Sequence, residues 1–284
     1  MVWENIHMNS FSIFRDLSEH IVLRINSCRE VHHLSGWIET KQHHDYDLWY
    51  VQEGQIEIRT NDSVHLASAG DLVLFNPKVA YTASNLGDDC RFLYTHFDFG
   101  LGDQLRILDQ FQLAGVIASP LVPEEISLFL KAYKEHQLGS SMSGIHLKGC
   151  LTILVAKILE CYEQGEYVGQ FANPAPERKR ITSLQSLQPV LDHIQEQLHM
   201  PLRARELAVM AGMSEKYFIS YFKQALGITP GLYIYQLKMN RARELLYSKQ
   251  YTIQQIAGML GYPDPYSFSK AFKKYYNVPP SKFD

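Results

Sequence analysis

Sulfur chemistry has little to work with in this sequence. Of 284 residues only four are cysteines, Cys28, Cys90, Cys150 and Cys161, and no two of them form a CxxC pair. So few and so scattered, they exclude a disulfide framework and point to a reducing compartment. No apolar run of about 18 residues occurs and no charged-then-apolar leader opens the chain, so neither a membrane span nor a secretion signal is expected. The cytoplasm is the expected compartment. Strong net charge is missing as well, since 27 Lys and Arg against 30 Asp and Glu leave a formal charge of -3.

That small charge hides a division. Residues 178–284 carry fifteen Lys and Arg against seven Asp and Glu, a balance of +8, and residues 1–177 carry the remaining -11. A basic C-terminal portion is the electrostatic footprint of a polyanion partner, and the acidic N-terminal portion is unsuited to lying along one. With 46% hydrophobic residues the chain can bury a sizeable core, and its length fits two domains.

The most patterned stretch is Thr252 to Phe283, TIQQIAGMLGYPDPYSFSKAFKKYYNVPPSKF. Thr252 followed three residues later by Gln255 reads as a capping box, and Ile253, Ile256, Ala257 and Leu260 recur at helical spacing. Gly261 stops that helix. Asp264 caps the next, with Pro265 at its first position, Phe268, Ala271 and Phe272 inward, and Tyr266, Ser269, Lys270, Lys273 and Lys274 outward. Fifty positions upstream, Arg203 to Gly227 repeats the design: Leu207, Ala208 and Met210 on a first helix, Gly212 at the turn, Ser214 as cap, Phe218 and Phe222 inward. Lys216, Ile219, Ser220 and Lys223 are left on its outer face. Between the two, Tyr233 to Tyr247 lacks Gly and Pro and reads as one continuous helix of about 22 Å. Cations for phosphates and short polar groups for base edges are what a DNA major groove accepts. A strut of this length could hold two such helices about 34 Å, one DNA turn, apart.

In RARELL, IAGMLGY, SFSKAFKKYY and NVPPSKF, about the last hundred residues resemble the AraC/XylS family of bacterial transcription regulators. By that resemblance Lys216, Ile219, Ser220 and Lys223, and Tyr266, Ser269 and Lys270, stand where family members meet DNA. The sequence departs from the family at Asn277, a position often glycine, and at Pro263 and Pro265, which bracket the second turn.

From Ser27 to Phe99 the period changes to short β-branched and aromatic stretches, LWYVQEG, QIEIRT, DLVLFNP and CRFLYTHFDF, separated by turn residues, which implies a sandwich or barrel. HHDYDLWYVQEGQIEI followed by SAGDLVLFNPKVAY is similar to the cupin-type barrel that precedes the DNA-binding domain in many AraC relatives. A cupin metal enzyme is the competing reading. It wants His-x-His, a carboxylate and a further His after the proline, whereas here His43 and His44 are adjacent and Tyr81 stands at the last position. Adjacent strand residues face opposite ways, so only His43 and Asp47 are expected to share a face, and neither metal nor cofactor is expected. Trp37, His43, Asp47, Trp49, Tyr81 and His96 are instead the candidate lining of a small-molecule pocket. Aromatic faces beside His, Asp and Gln suit a sugar or glycoside, to be bound without metal.

Two helices are expected beyond the barrel, over Glu124 to Leu138 and Ile145 to Gln164. In the second, Leu147, Leu151, Leu154 and Ile158 make a seam, either for packing on the barrel or for a homodimer, which the resemblance favours. The residues that follow Gln164, GEYVGQFANPAPERKR, read as a linker, and the next helix is expected at Leu187 to Leu198. The predicted organisation is thus α+β and multidomain. Residues 1–165 form a cupin-like β-barrel with dimerisation helices, 166–183 a linker, and 184–284 an all-α domain with two helix-turn-helix motifs joined by a long linker helix. The expected function is sequence-specific binding of double-stranded promoter DNA by a ligand-responsive activator, with RNA polymerase a partner implied by the family. A constitutive regulator without ligand is a third reading.

Overall fold

A computed structural model describes Phe14 and residues 17–60, 63–77, 79–102, 106–171 and 177–283, with backbone alone at 177–185. Residues 172–176, inside the expected linker, lie outside the described residues. Two units emerge, one built on Glu19–Leu101 and Leu105–Ile181, the other on Thr182–Asp284.

Among the described residues of the first unit, nine strands form two antiparallel sheets. One has the order β1 (Ile21–His33), β8 (Cys90–Leu101), β3 (Tyr46–Glu53), β6 (Leu72–Phe75) and β9 (Gly115–Ile117). The other has the order β2 (Ile38–Gln42), β7 (Ala80–Asn85), β4 (Gln55–Thr60) and β5 (Ser63–Ser68). Alternation decides what each face buries. Trp49 and Val51 of β3 join Ile56, Ile58, Val73, Phe75, Tyr81 and Phe92 in one apolar core, with Trp49 stacked on Phe92 at 4.3 Å between ring centroids. Tyr46 and Leu48, on the other face of β3, are buried too. A strand apolar on both faces needs a cover. Next to that sheet lie α1 (Pro123–Gln137) and α2 (Ser143–Glu163), which pack on each other and, through α2, against β1.

The seam of α2 turns inward. Leu147, Leu151, Leu154 and Ile158 are between 0% and 3% exposed within the single chain, so they cannot supply the homodimer surface expected of them. A stripe at this spacing is buried equally well by its own chain or by a second, and here α2 packs on α1 and β1 of its own chain.

The second unit is helical. Helix α3 runs from Glu177 to Glu196, its residues from Thr182 on belonging to this unit; it begins inside the expected linker and holds Pro189 in its interior. Leu187, Val190, Leu191 and Ile194 are buried. A short α4 (Ala204–Met210) leads to α5 (Glu215–Leu226). Ser214 caps α5 by accepting the Tyr217 N–H, and Gly227 closes it in the left-handed region. Leu207 and Ala208 are buried as expected, but Met210 is 46% exposed, one position past the inward arc. The long helix α6 spans Pro230–Tyr247, three residues longer at its start than expected, because Thr229 caps it and Pro230 occupies its first position.

The last helix pair is α7 (Ile253–Met259) and α8 (Pro265–Tyr276). Both hydrogen bonds of the Thr252/Gln255 capping box form, and Asp264 accepts the Ser267 N–H at the start of α8. Asn277 ends α8 at φ 60°, doing for α8 what Gly227 does for α5. Asparagine tolerates that conformation, so the departure from glycine leaves the helix end intact. Ile256, Ala257, Leu260, Phe268 and Phe272 share one core with Met239, Ala242 and Leu245 of α6.

Candidate functional site

On the second unit, Lys216, Ser220 and Lys223 of α5 are exposed and Ile219 is half-buried, while Phe218 and Phe222 behind them are fully buried. On α8, Tyr266 is 77% exposed, and Lys270, Lys273 and Lys274 are exposed over buried Phe268 and Phe272. Each set thus shares the solvent side of its own amphipathic helix. Ser269 differs from its expected role: it is half-buried and its hydroxyl donates to the Pro265 carbonyl at 2.7 Å, which commits its proton to the helix. Tyr217, 58% exposed on the first turns of α5 and packed at 5.8 Å against Tyr221, belongs to the same face and was not anticipated.

In the first unit a cavity of about 180 Å³ opens inside the barrel. His43, Asp47, Trp49, Tyr81 and His96 line it, five of the six expected residues. Trp37 does not; its ring stacks on His33 at 4.1 Å and tilts against Phe92. Val31, His33 and Glu39 were missed, and they line the cavity with Lys41, Phe92 and Tyr94. His33 and Val31 come from β1, which pairs with β8, and only that pairing brings them to the wall. A second, open cleft of about 470 Å³ shares His43 and His96 with the cavity and continues to Asn26, His44, Asp45, Asp98 and Arg106.

The register of β3 with β8 sets the polar chemistry here. Asp47 lies directly opposite His96, so the two side chains leave the sheet on the same face, and His43 arrives from the turn before β3. Their donor atoms lie within 4.8 Å of one another. His43 and Asp47 are therefore not alone on this face, contrary to the expectation from the sequence: His96, brought in by strand pairing, is a third potential donor.

Asp47 is 1% exposed, its Oδ2 accepting the Trp49 Nε1–H at 2.8 Å while its Oδ1 has no hydrogen-bond partner. Burial pushes its pKa up to about 8, against the smaller opposing effect of the Trp49 hydrogen bond. Burial, and then neighbouring His96, lower that of His43. The Tyr81 hydroxyl lies 3.1 Å from His43 Nε2 and is held protonated by burial and by Asp47. His96 Nδ1 meets Asp45 Oδ1 at 3.1 Å, and Asp45 Oδ2 accepts from Asn26 at 2.8 Å.

Comparison with known proteins agrees with both halves. The helix-turn-helix domain family matches residues 207–284 and the cupin domain family residues 32–96. The chain is 22% identical over 246 residues to the probable transcriptional regulator LumQ of Photobacterium leiognathi, covering 86% of this chain and 92% of that one. It is 33% identical over 90 residues to the Msm operon regulatory protein of Streptococcus mutans, spanning about a third of each, 32% and 32%. Among solved structures, a transcriptional regulator with an AraC-type DNA-binding domain from Chromobacterium violaceum aligns with 35% of this chain and 89% of its own, at 29% identity and a TM-score of 0.33. No helix among the described residues is long and apolar enough to cross a membrane. With a cupin domain followed by a helix-turn-helix domain, and with relatives named as transcriptional regulators, the chain carries the domain pair of an AraC-type DNA-binding transcriptional regulator.

Proposed function

We propose that this regulator binds promoter DNA in the cytoplasm through two helix-turn-helix units, α4–α5 and α7–α8, with α6 as the helix that links them. The observation that carries the reading is the fifty-residue repeat, in which the same inward Phe pairs back an outward Lys-bearing face in each unit. Helix α6 has 18 residues, about 27 Å of rise. Binding of duplex DNA from the flanks of its own gene should weaken steeply with salt. Six phosphate contacts give a slope of about -5 for log affinity against log salt, and a salt-insensitive interaction would refute the reading.

The effector reading rests on the cavity, where the Trp49, Phe92 and Tyr94 rings stand beside Glu39, Lys41 and the histidines in a space of about 180 Å³. Ring faces suit the C–H faces of a sugar and the polar groups suit its hydroxyls. A small carbohydrate or glycoside fits this lining better than a fatty acid, which wants a long, continuously apolar channel. Calorimetric titration of the full chain with sugar and fatty-acid panels decides it: saturable fatty-acid binding with no sugar response would overturn the claim. Occupancy would favour activation, through RNA polymerase at the promoter.

A homodimer belongs to the same reading, with the surface moved. With its seam buried, α2 presents Ile145, 70% exposed, and Ile153, 49% exposed, together with Gly149 and Ala156, as the face free for a second copy.

A further inference from the structure

We propose that His43, Asp47 and His96 bind a divalent first-row transition-metal ion at the wall between the barrel cavity and the open cleft. The site is distinct from the pattern weighed in the sequence, because its third donor comes from β8 by strand pairing, while Tyr81 occupies the place after the proline.

Distance is the first argument. His43 Nε2 lies 3.6 Å from Asp47 Oδ2, and His96 Nε2 lies 4.0 Å from Asp47 Oδ1. Both separations are too long for hydrogen bonds. They are close to the roughly 3.4 Å that separates two ligands bound at about 2.1 Å to one tetrahedral centre. The three donor atoms as a set lie within 4.8 Å of one another, so side-chain rotations that move them by about an ångström bring all three onto one ion.

The second argument is an atom without a partner. Asp47 Oδ1 is buried with no hydrogen bond, although the other oxygen of the same carboxylate is held by Trp49. A buried polar atom left unpaired costs stability unless something completes it, and a cation between it and two imidazoles does so.

Third, the outer partners are those of a metal site. Asp45 faces His96 Nδ1 and is itself fixed by Asn26, so Nδ1 carries the proton and the Nε2 lone pair points toward Asp47. His43 lacks such a partner in this arrangement: the Tyr81 hydroxyl faces its Nε2, the ligand atom itself, and is the group an incoming ion would displace.

Two imidazoles and one carboxylate select zinc, iron, cobalt or nickel over magnesium and calcium, which prefer oxygen throughout. Three protein ligands leave a position open. Since all three residues line the cavity, an oxygen atom of the effector is the natural fourth ligand, a step that rests on the effector reading above; the ion site itself does not.

The test uses untagged full-length protein stripped with a chelator. Calorimetric titration with Zn²⁺, and visible absorption with Co²⁺, should show one ion per chain. His96→Gln and Asp47→Asn should each weaken binding at least tenfold. Asp45→Asn should weaken it by about ten- to a hundredfold, as loss of an outer partner does. His44→Ala, at the exposed neighbouring histidine, should leave it unchanged. Should Asp47→Asn fail to fold, His96→Gln and Asp45→Asn carry the test. No saturable binding, or binding indifferent to His96→Gln, overturns the proposal. A sugar response without metal binding would overturn the metal site alone, and metal binding without a sugar response the effector alone.

Discussion

The ammonium of Lys238, within α6, donates to the backbone carbonyl of Met200 at 3.1 Å. Lys238 is 7% exposed, and its Nζ also stands 5.6 Å above the ring of Tyr262, in the turn between α7 and α8. One cation therefore ties the long helix both to the segment that enters the first helix pair and to the turn of the second. If both pairs are to meet one duplex, their spacing depends on such ties.

Burial lowers the pKa of Lys238 from its ordinary 10.5. For a base whose folded-state pKa is depressed, stability is fully present above the unfolded value and is lost as pH falls through the folded one. We expect the stability of the wild type relative to Lys238→Met to rise as pH is raised from neutrality toward 10.5. The variant also leaves the Met200 carbonyl without its donor, a cost of about 1–3 kcal/mol that does not vary with pH. Urea unfolding across that range checks both, and a pH-independent difference would show an ammonium as well solvated folded as unfolded.

The two turn glycines should behave differently. Gly212 and Gly261 have φ of 65° and 67°, so a side chain strains both. At Gly212 nothing lies within 4 Å of an added Cβ, whereas at Gly261 it would meet the His199 carbonyl oxygen at 2.6 Å and Met200 at 2.9 Å. Gly212→Ala is expected to cost about 1 kcal/mol and Gly261→Ala clearly more, because backbone must move. Thermal unfolding of the two variants ranks them.

What could be read from the sequence follows the range of the interaction. Caps are local: Thr252 with Gln255, Asp264 with Ser267 and Ser214 with Tyr217 involve residues three apart, and all form. The fifty-residue repeat is a pattern in one dimension and places both sets of outward lysines. Strand register is not local. His96 reaches Asp47 only because β3 and β8 pair antiparallel with those residues opposite, and nothing in HHDYD announces it. The seam of α2 turned out otherwise for another reason, since a buried leucine such as Leu151 is covered as well by its own chain, where α2 packs on α1 and β1, as by a second. Ser269 was placed on the right face, but a hydroxyl four residues after a carbonyl can bond backward, and it does.

The α2 correction makes a sharp pair of variants. Leu151 is fully buried, so Leu151→Glu should lose the roughly 2–5 kcal/mol of a deleted core leucine and add a buried, unpaired charge. Loss of cooperative unfolding in the first unit is expected, with aggregation and no folded monomer. Ile153, 49% exposed, should accept Glu with the fold intact. Sedimentation and circular dichroism of wild type and variant together decide the oligomer: a wild-type dimer that becomes a folded monomer in Ile153→Glu places the interface on the outer face, and a monomeric wild type or a variant that stays a folded dimer removes that face from consideration.

The two ends of the recognition faces should separate sequence choice from general affinity. Lys216 is the second residue of α5 and Ser220 lies one turn further on, on the N-terminal turns where side chains of such helices reach base edges. Lys273 and Lys274 lie in the last turn of α8, where phosphate contact is the geometric expectation. Lys216→Ala should change the ranking of operator variants, by about 1–3 kcal/mol at the base pair it reads, with little effect at the others. Lys273→Ala and Lys274→Ala should weaken all sequences alike and each reduce the magnitude of the salt slope by about 0.9. Binding of full-length protein to a panel of single-base operator variants at several salt concentrations measures both quantities. A Lys216→Ala that weakens every operator equally, or a Lys274→Ala that leaves the slope unchanged, would reverse the assignment of these residues to bases and phosphates.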